Sequence, residues 1–275
     1  HRITGLGRGL SASGQLSKEG ISRVLEAIEE FNLLIAQHEV ETIRAVTTSA
    51  ARDARNRDDF IGAASASLNH PLELLSGEEE ARYGFLGATA DLDRTAAPFL
   101  VVDIGGGSTE FSLGTDVAEM YRSVDMGSVR FFEKFLLNDP PKPEELSAAI
   151  QVARLHLDDI DRELPLIGKA NSLVGVAGTI TTIAAVEIGL EPYDPEVIDG
   201  FRLTRQAAED VFRTLATESL SDRQHNPGLE PARADVIVAG CCILVAIMRH
   251  WELEECLVRE RDLLDGVADE MLGHE

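Results

Sequence analysis

Apolar residues Ile21, Leu25, Ile28, Phe31 and Ile35 recur at three- and four-residue spacing, which lines one face of a helix. Ser17 stands just before that run as an N-cap, behind a glycine-rich opening at 4–14. Alternation over 42–48 reads as a strand. Asn56 then caps a short helix carrying Phe60, Ala63, Ala64 and Leu68, and 71–75 reads as a second short strand, so the chain opens in a βαβ-like pattern. Ser76 followed by Glu79 is a capping box for a helix running to about residue 90, and 91–98 is a polar connection.

From Phe99 the pattern changes to Phe-Leu-Val-Val-Asp-Ile, three glycines and Ser-Thr-Glu-Phe-Ser-Leu, which predicts strand, tight turn, strand. A third strand is expected over 120–124, and a proline-rich segment at 138–143 leads into a long helix over 144–164. A strand over 172–176 follows, and Gly178 opens another helix. After a loop at 191–200, Thr204 caps an amphipathic helix. The uninterrupted apolar run 236–248 is too short to span a bilayer and predicts a buried helix from about residue 234. A short strand over 256–259 and a helix over 261–272 close the chain, with no repeat of 20–50 residues.

At 275 residues the chain exceeds most single cores, so two domains are expected. Its 25 basic and 48 acidic residues give a formal net charge of -23, which disfavours nucleic acid and anionic membranes as partners. A polyanionic substrate would need local devices: loop amides, helix N-termini, a few arginines and a divalent cation. Cys241, Cys242 and Cys256 form neither a CxxC pair nor an even set, which argues against a disulfide framework and a thiolate zinc site and suits a reducing cytoplasm. His1, His38, His70, His156, His225, His250 and His274 are scattered without ligand spacing. No signal peptide is evident at the start.

Three segments carry candidate chemistry. In Asp103-Ile-Gly-Gly-Gly-Ser-Thr-Glu110 the glycines permit positive φ and close backbone approach to phosphate oxygens, and a strand-end carboxylate can hold Mg²⁺ beside them. The same glycines can equally serve only a tight hairpin. Gly175-Val-Ala-Gly178-Thr179 opens a helix and presents amides at its positive end, or is a packing turn. Thr47-Thr-Ser-Ala-Ala-Arg52 leaves Arg52 in a strand-end loop, where it can bind phosphate or sit as a surface ion pair.

Taken in order, Thr47-Thr-Ser-Ala-Ala-Arg52, Ser76-Gly-Glu-Glu-Glu80-Ala-Arg, the Asp103–Glu110 segment, Gly175-Val-Ala-Gly-Thr-Ile-Thr182 and Pro231-Ala-Arg-Ala-Asp-Val-Ile237 resemble the exopolyphosphatase and guanosine pentaphosphate phosphohydrolase family. The similarity runs nearly the whole chain, in the short two-domain form. It implies an α/β fold of two RNase-H-like domains of the actin, Hsp70 and sugar kinase superfamily, with the active site in an interdomain cleft. The expected division is 1–95 plus 261–275 for the N-terminal domain and 96–260 for the C-terminal one. By this resemblance Glu80 is the general base that activates water, and Asp103 handles a Mg²⁺ or Mn²⁺ ion. Gly105, Gly106, Gly107 and Ser108 contact phosphate, with Arg52 a further anion contact.

One departure is expected to matter: members of the family begin with a strand and a first phosphate loop some 20–30 residues before the segment matching His1, and nothing here matches it. Omission of an upstream piece is the favoured explanation. The implied activity is release of terminal phosphate from inorganic polyphosphate, with guanosine pentaphosphate as the alternative substrate; a homodimer is open. Two competitors stand beside it, an ATP-using enzyme of the same superfamily and a catalytically silent polyphosphate or alarmone sensor.

Overall fold

The computed structural model describes residues 2–273, so His1 and His274 of the histidine set lie outside the described residues. The chain forms two compact units, His1–Gly77 and Glu78–Glu275. The division falls upstream of the polar connection at 91–98 because the helix that begins at Gly77 packs its apolar side on the large sheet described below.

In the first unit, a short helix α1 (Leu10–Ser13) precedes α2 (Lys18–Gln37), whose first turn is capped by the Ser17 hydroxyl accepting from the Gly20 amide. Strand β1 (Ala45–Thr47) leads into α3 (Ser49–Asp53) and α4 (Arg57–Leu68), and β2 (Leu72–Leu74) pairs parallel with β1. The core joins Leu10, Leu16, Ala51, Ala54, Phe60 and Ala64 to the inner face of α2. Asn56 stands at the start of α4 but its side chain does not cap it. Its amide instead accepts from the Leu16 amide at 2.9 Å and donates to the Leu16 carbonyl at 3.0 Å, pinning a loop forty residues away.

The second unit starts with α5 (Gly77–Thr89), then β3 (Phe99–Ile104), β4 (Thr109–Gly114) and β5 (Ala118–Val124). Next come α6 (Ser128–Phe135), α7 (Pro143–Glu163), β6 (Ser172–Val176), α8 (Ala177–Ile188) and α9 (Pro195–Ile198). The chain closes through β7 (Arg202–Thr204), α10 (Arg205–Thr217), α11 (Leu220–Arg223), α12 (Ile237–His250), β8 (Glu255–Val258) and α13 (Leu263–Met271).

The sheet order is β5-β4-β3-β6-β8-β7. β3, β4 and β5 form an antiparallel meander, and β6 and β8 continue parallel to β3. Three meander strands followed by two parallel strands beyond the first is the RNase-H-like arrangement, with β7 added antiparallel at the edge.

Helix α12 fills the larger core, every residue from Ile237 to Met248 being buried, as its unbroken apolar run requires. Among the described residues the short helices α1, α3, α9 and α11 escape the sequence pattern, as do α6 and β7. Helix α6 was not anticipated, because its apolar residues Phe131, Phe132 and Phe135 sit next to the proline-rich segment. Strand β7 is only three residues and ends in the Thr204 cap, whose hydroxyl accepts from the Ala207 amide at 3.1 Å. Among the described residues no helix is long and apolar enough to cross a membrane, and all three cysteines are free and buried.

Candidate active site

Strand β3 alternates between two environments. Leu100, Val102 and Ile104 enter the large core, whereas Phe99 and Val101 pack in a smaller cluster with Val174, Val176 and the α5 residues Phe85 and Ala88. Because strand side chains alternate with period two, Asp103 continues the Phe99–Val101 face, one step beyond the apolar cluster. Glu80 lies five residues before Phe85 on α5, about 7.5 Å along a helix axis, close to the roughly 6.6 Å that separates Val101 from Asp103 along a strand. Helix and strand therefore run out of apolar contact together, and each ends in a carboxylate.

The hairpin adds a third. Glu110 is the direct register partner of Asp103 across β3 and β4, so the two side chains share a face. Glu110 is only 5 % exposed and Glu80 only 6 % exposed. Ser123, opposite Glu110 on β5, donates its hydroxyl to Glu110 Oε1 at 2.7 Å. A fourth carboxylate, Asp262, caps α13 by accepting from the Leu264 amide. Burial, and then the negative charges of Glu110, Asp262 and Glu80, push the Asp103 pKa well above the ordinary aspartate value. Burial also raises that of Asp262.

This donor set suits a hard divalent cation. All its ligating atoms are carboxylate oxygens, and the charges bearing on Asp103 are all negative, so a cation would relieve the repulsion. Among the described residues no three histidine, cysteine or acidic side chains close into a metal-binding group by themselves. Mg²⁺ does not need such a cage, since it usually takes one or two carboxylates and completes its shell with water and substrate phosphate.

The turn beside these carboxylates is held from one side. The Gly105 amide donates to the Ser108 carbonyl at 3.0 Å. The first amides of α6 take the loop carbonyls: Ser128 to Gly105 at 2.9 Å, and Val129 and Arg130 to Gly106 at 2.9 and 3.1 Å. Arg130 Nε donates to the Gly107 carbonyl at 2.7 Å. Gly105 and Gly106 do not adopt positive φ, contrary to the expectation from sequence. What demands small residues is proximity, since a Cβ on Gly127 would lie 2.3 Å from the Gly106 carbonyl oxygen. Ser108 is buried at the end of the turn.

The other two motifs are placed differently. In the β6–α8 turn the left-handed residue is Ala177, at φ 65°, and not a glycine. Gly175 is a packing position, where a Cβ would fall 2.5 Å from Cys256 Sγ, and Gly178 lies against the Arg233 guanidinium. Arg52 lies in the first compact unit, on α3 and not in a loop, and donates to the Leu75 carbonyl at 2.9 Å. Glu110, Ser123 and Asp262 were not singled out from sequence. Glu110 was within reach: once the turn is fixed at 105–108, hairpin pairing sets it opposite Asp103. Asp262 gives no such signal, because its approach depends on how α13 packs.

That packing is tight. A Cβ on Gly87 of α5 would meet the Asp262 carbonyl oxygen at 2.0 Å, and one on Gly266 of α13 would meet the Tyr83 carbonyl oxygen at 2.1 Å. Tyr83, 2 % exposed, donates to Glu270 Oε2 at 2.5 Å, and Arg82 donates to Glu270 Oε1 at 2.8 Å. The crossing fixes α13, and with it Asp262, against the helix that carries Glu80.

Comparison with known proteins agrees with this architecture. The chain is 36% identical over 281 residues to exopolyphosphatase 2 of Mycobacterium tuberculosis, covering 99% of this chain and 88% of that protein. It is 32% identical to the guanosine-5'-triphosphate,3'-diphosphate pyrophosphatase of Vibrio vulnificus, covering 98% of this chain and 52% of that one. The crystal structure of the Aquifex aeolicus member of the Ppx/GppA protein family superposes with a TM-score of 0.80 at 31% identity, over 100% of this chain and 88% of the other. The profile of the Ppx/GppA phosphatase family matches residues 1–275, and the chain belongs to that family.

Proposed function

We propose that the protein releases the terminal phosphate of inorganic polyphosphate by in-line attack of water. The observation that carries this is that Asp103, at the mouth of the Gly105–Ser108 turn whose carbonyls are already taken, feels the negative charges of the buried Glu110 and Glu80. The M. tuberculosis relative is an exopolyphosphatase, which supports the same substrate class. The Vibrio relative supports guanosine pentaphosphate as the second reading.

In this reading Glu80 accepts the proton of the attacking water as it closes on the terminal phosphorus. Its seat in the first turn of α5, with Phe85 and Ala88 anchoring the helix on the sheet, fixes where that water sits. The amides around Gly106, Gly107 and Ser108 hold phosphate oxygens, and family resemblance adds Arg52 as a further anion contact. Asp103, with Glu110 beside it, would hold Mg²⁺ or Mn²⁺. When bound, the ion neutralises charge on the transferred and leaving oxygens. No covalent intermediate with the protein is required. A reducing cytoplasm suits the buried thiols of Cys241, Cys242 and Cys256.

Phosphate release from polyphosphate, guanosine pentaphosphate and ATP, measured side by side with Mg²⁺ and with excess EDTA, tests the proposal. We expect polyphosphate to give the highest kcat/KM and EDTA to abolish release. Undiminished release in EDTA contradicts the metal assignment. Faster turnover of the nucleotide selects the second reading, and tight binding of polyphosphate without release selects a sensor.

A further inference from the structure

Strand β5 lies at the edge of the sheet, beyond β4, and its residues alternate in role. Met120 and Val124 pack against the large core, which leaves Tyr121 and Ser123 on the opposite face, the one that Asp103 and Glu110 share. Both of these residues carry hydroxyls. Ser123 donates to Glu110 Oε1 at 2.7 Å.

Glu110 is nearly buried, and a carboxylate in that position has two oxygens to orient. Ser123 holds one of these oxygens, and Asp103, the register partner of Glu110, lies on the same face. We propose that Ser123 is a positioning residue: its hydroxyl fixes the Glu110 carboxylate so that Glu110 and Asp103 present oxygens to the same divalent cation. The proposal rests on the reading above that these carboxylates hold Mg²⁺ or Mn²⁺. Outer partners of metal-binding carboxylates typically affect affinity by about 10–100-fold when removed. Sequence alone gives no reason to single out Ser123, a small polar residue on an edge strand. Its position in the ladder does.

The test is direct binding of Mn²⁺ to the full chain without substrate, followed by the loss of the free-ion electron paramagnetic resonance signal. The variants are Ser123→Ala, Ser123→Thr and Ser123→Val, with melting temperature recorded for each. Thr and Val share one shape and differ in the hydroxyl, so this pair decides the matter even if the Ala variant fails to fold. We expect Thr to bind within about three-fold of the parent, and Val and Ala to bind at least about 10-fold more weakly. Val and Ala binding as the parent does overturns the proposal while leaving the metal reading intact. So does a Thr variant as weak as Val, because shape and not the hydroxyl would then set affinity. A parent protein that binds no Mn²⁺ without substrate overturns this proposal, while the EDTA measurement decides the metal reading itself.

Discussion

At the scale of single residues, a carboxylate can take a proton from water and an amide of the same shape cannot. Glu80→Gln should therefore lower kcat by about 10²–10⁴-fold. Polyphosphate affinity should hold or tighten, because a negative charge near the phosphates is removed. Turnover and binding measured on Glu80→Gln and Glu79→Gln together decide the assignment: a near-normal kcat for the first and a collapsed one for the second would mean that the neighbour is the base. Asp103 could be named from its place at a strand end beside a glycine turn, whereas only the family resemblance separates Glu80 from Glu78 and Glu79 at the capped helix start. Glu110 was legible only as part of a string, since its role depends on which residue it faces. Asp262 was not legible at all: more than 150 residues of chain separate it from Asp103, and only tertiary packing brings its charge to bear.

At the scale of elements, periodicity located the long helices and the sheet's central strands. The strand expected over 172–176 is Ser172–Val176, and the closing helix expected over 261–272 is Leu263–Met271 with Asp262 as its cap. The short helices, strand β7 and α6 beside its prolines were missed, because three or four positions cannot establish a period, whereas the short strands β1, β2 and β8 overlap expected strands. The contact between α5 and α13 was equally hidden, although glycines make it possible. Gly87→Ala would put a methyl group 2.0 Å from the Asp262 carbonyl oxygen, a backbone atom that cannot swing away. The helices must separate, and overpacking of this kind costs about 1–3 kcal/mol. Because α5 carries Glu80 and α13 carries Asp262, kcat should fall as well. Gly62, inside α4 with no heavy atom near its Cβ position, is the control: Gly62→Ala should leave kcat unchanged and stabilise by about 0.4–1 kcal/mol. Urea midpoints and kcat for the two variants are the measurement, and equal midpoints would contradict the tight crossing.

At the scale of the whole molecule, a net charge of -23 faces a substrate that is itself a polyanion, so long-range electrostatics oppose the encounter. On the proposed reading, attraction begins only at close range, where loop amides, arginines and a bound cation would outweigh the surrounding carboxylates. These two ranges respond oppositely to salt. Raising ionic strength from about 10 mM to about 150 mM shortens the Debye length from about 30 Å to about 8 Å, which screens the repulsion between chain and substrate. Contacts inside a partly buried site are screened much less. For a protein that draws in its polyanion with a basic surface, kcat/KM falls steeply over that range. Here it should rise, at a fixed concentration of free Mg²⁺, and the rise should be larger for long polyphosphate than for tripolyphosphate, which presents fewer charges to the acidic surface. kcat at saturating substrate should change little, because the bound state has already crossed the repulsive zone. A fall in kcat/KM with salt for the long polymer would show that cationic contacts outside the site, and not the loop and metal alone, govern capture.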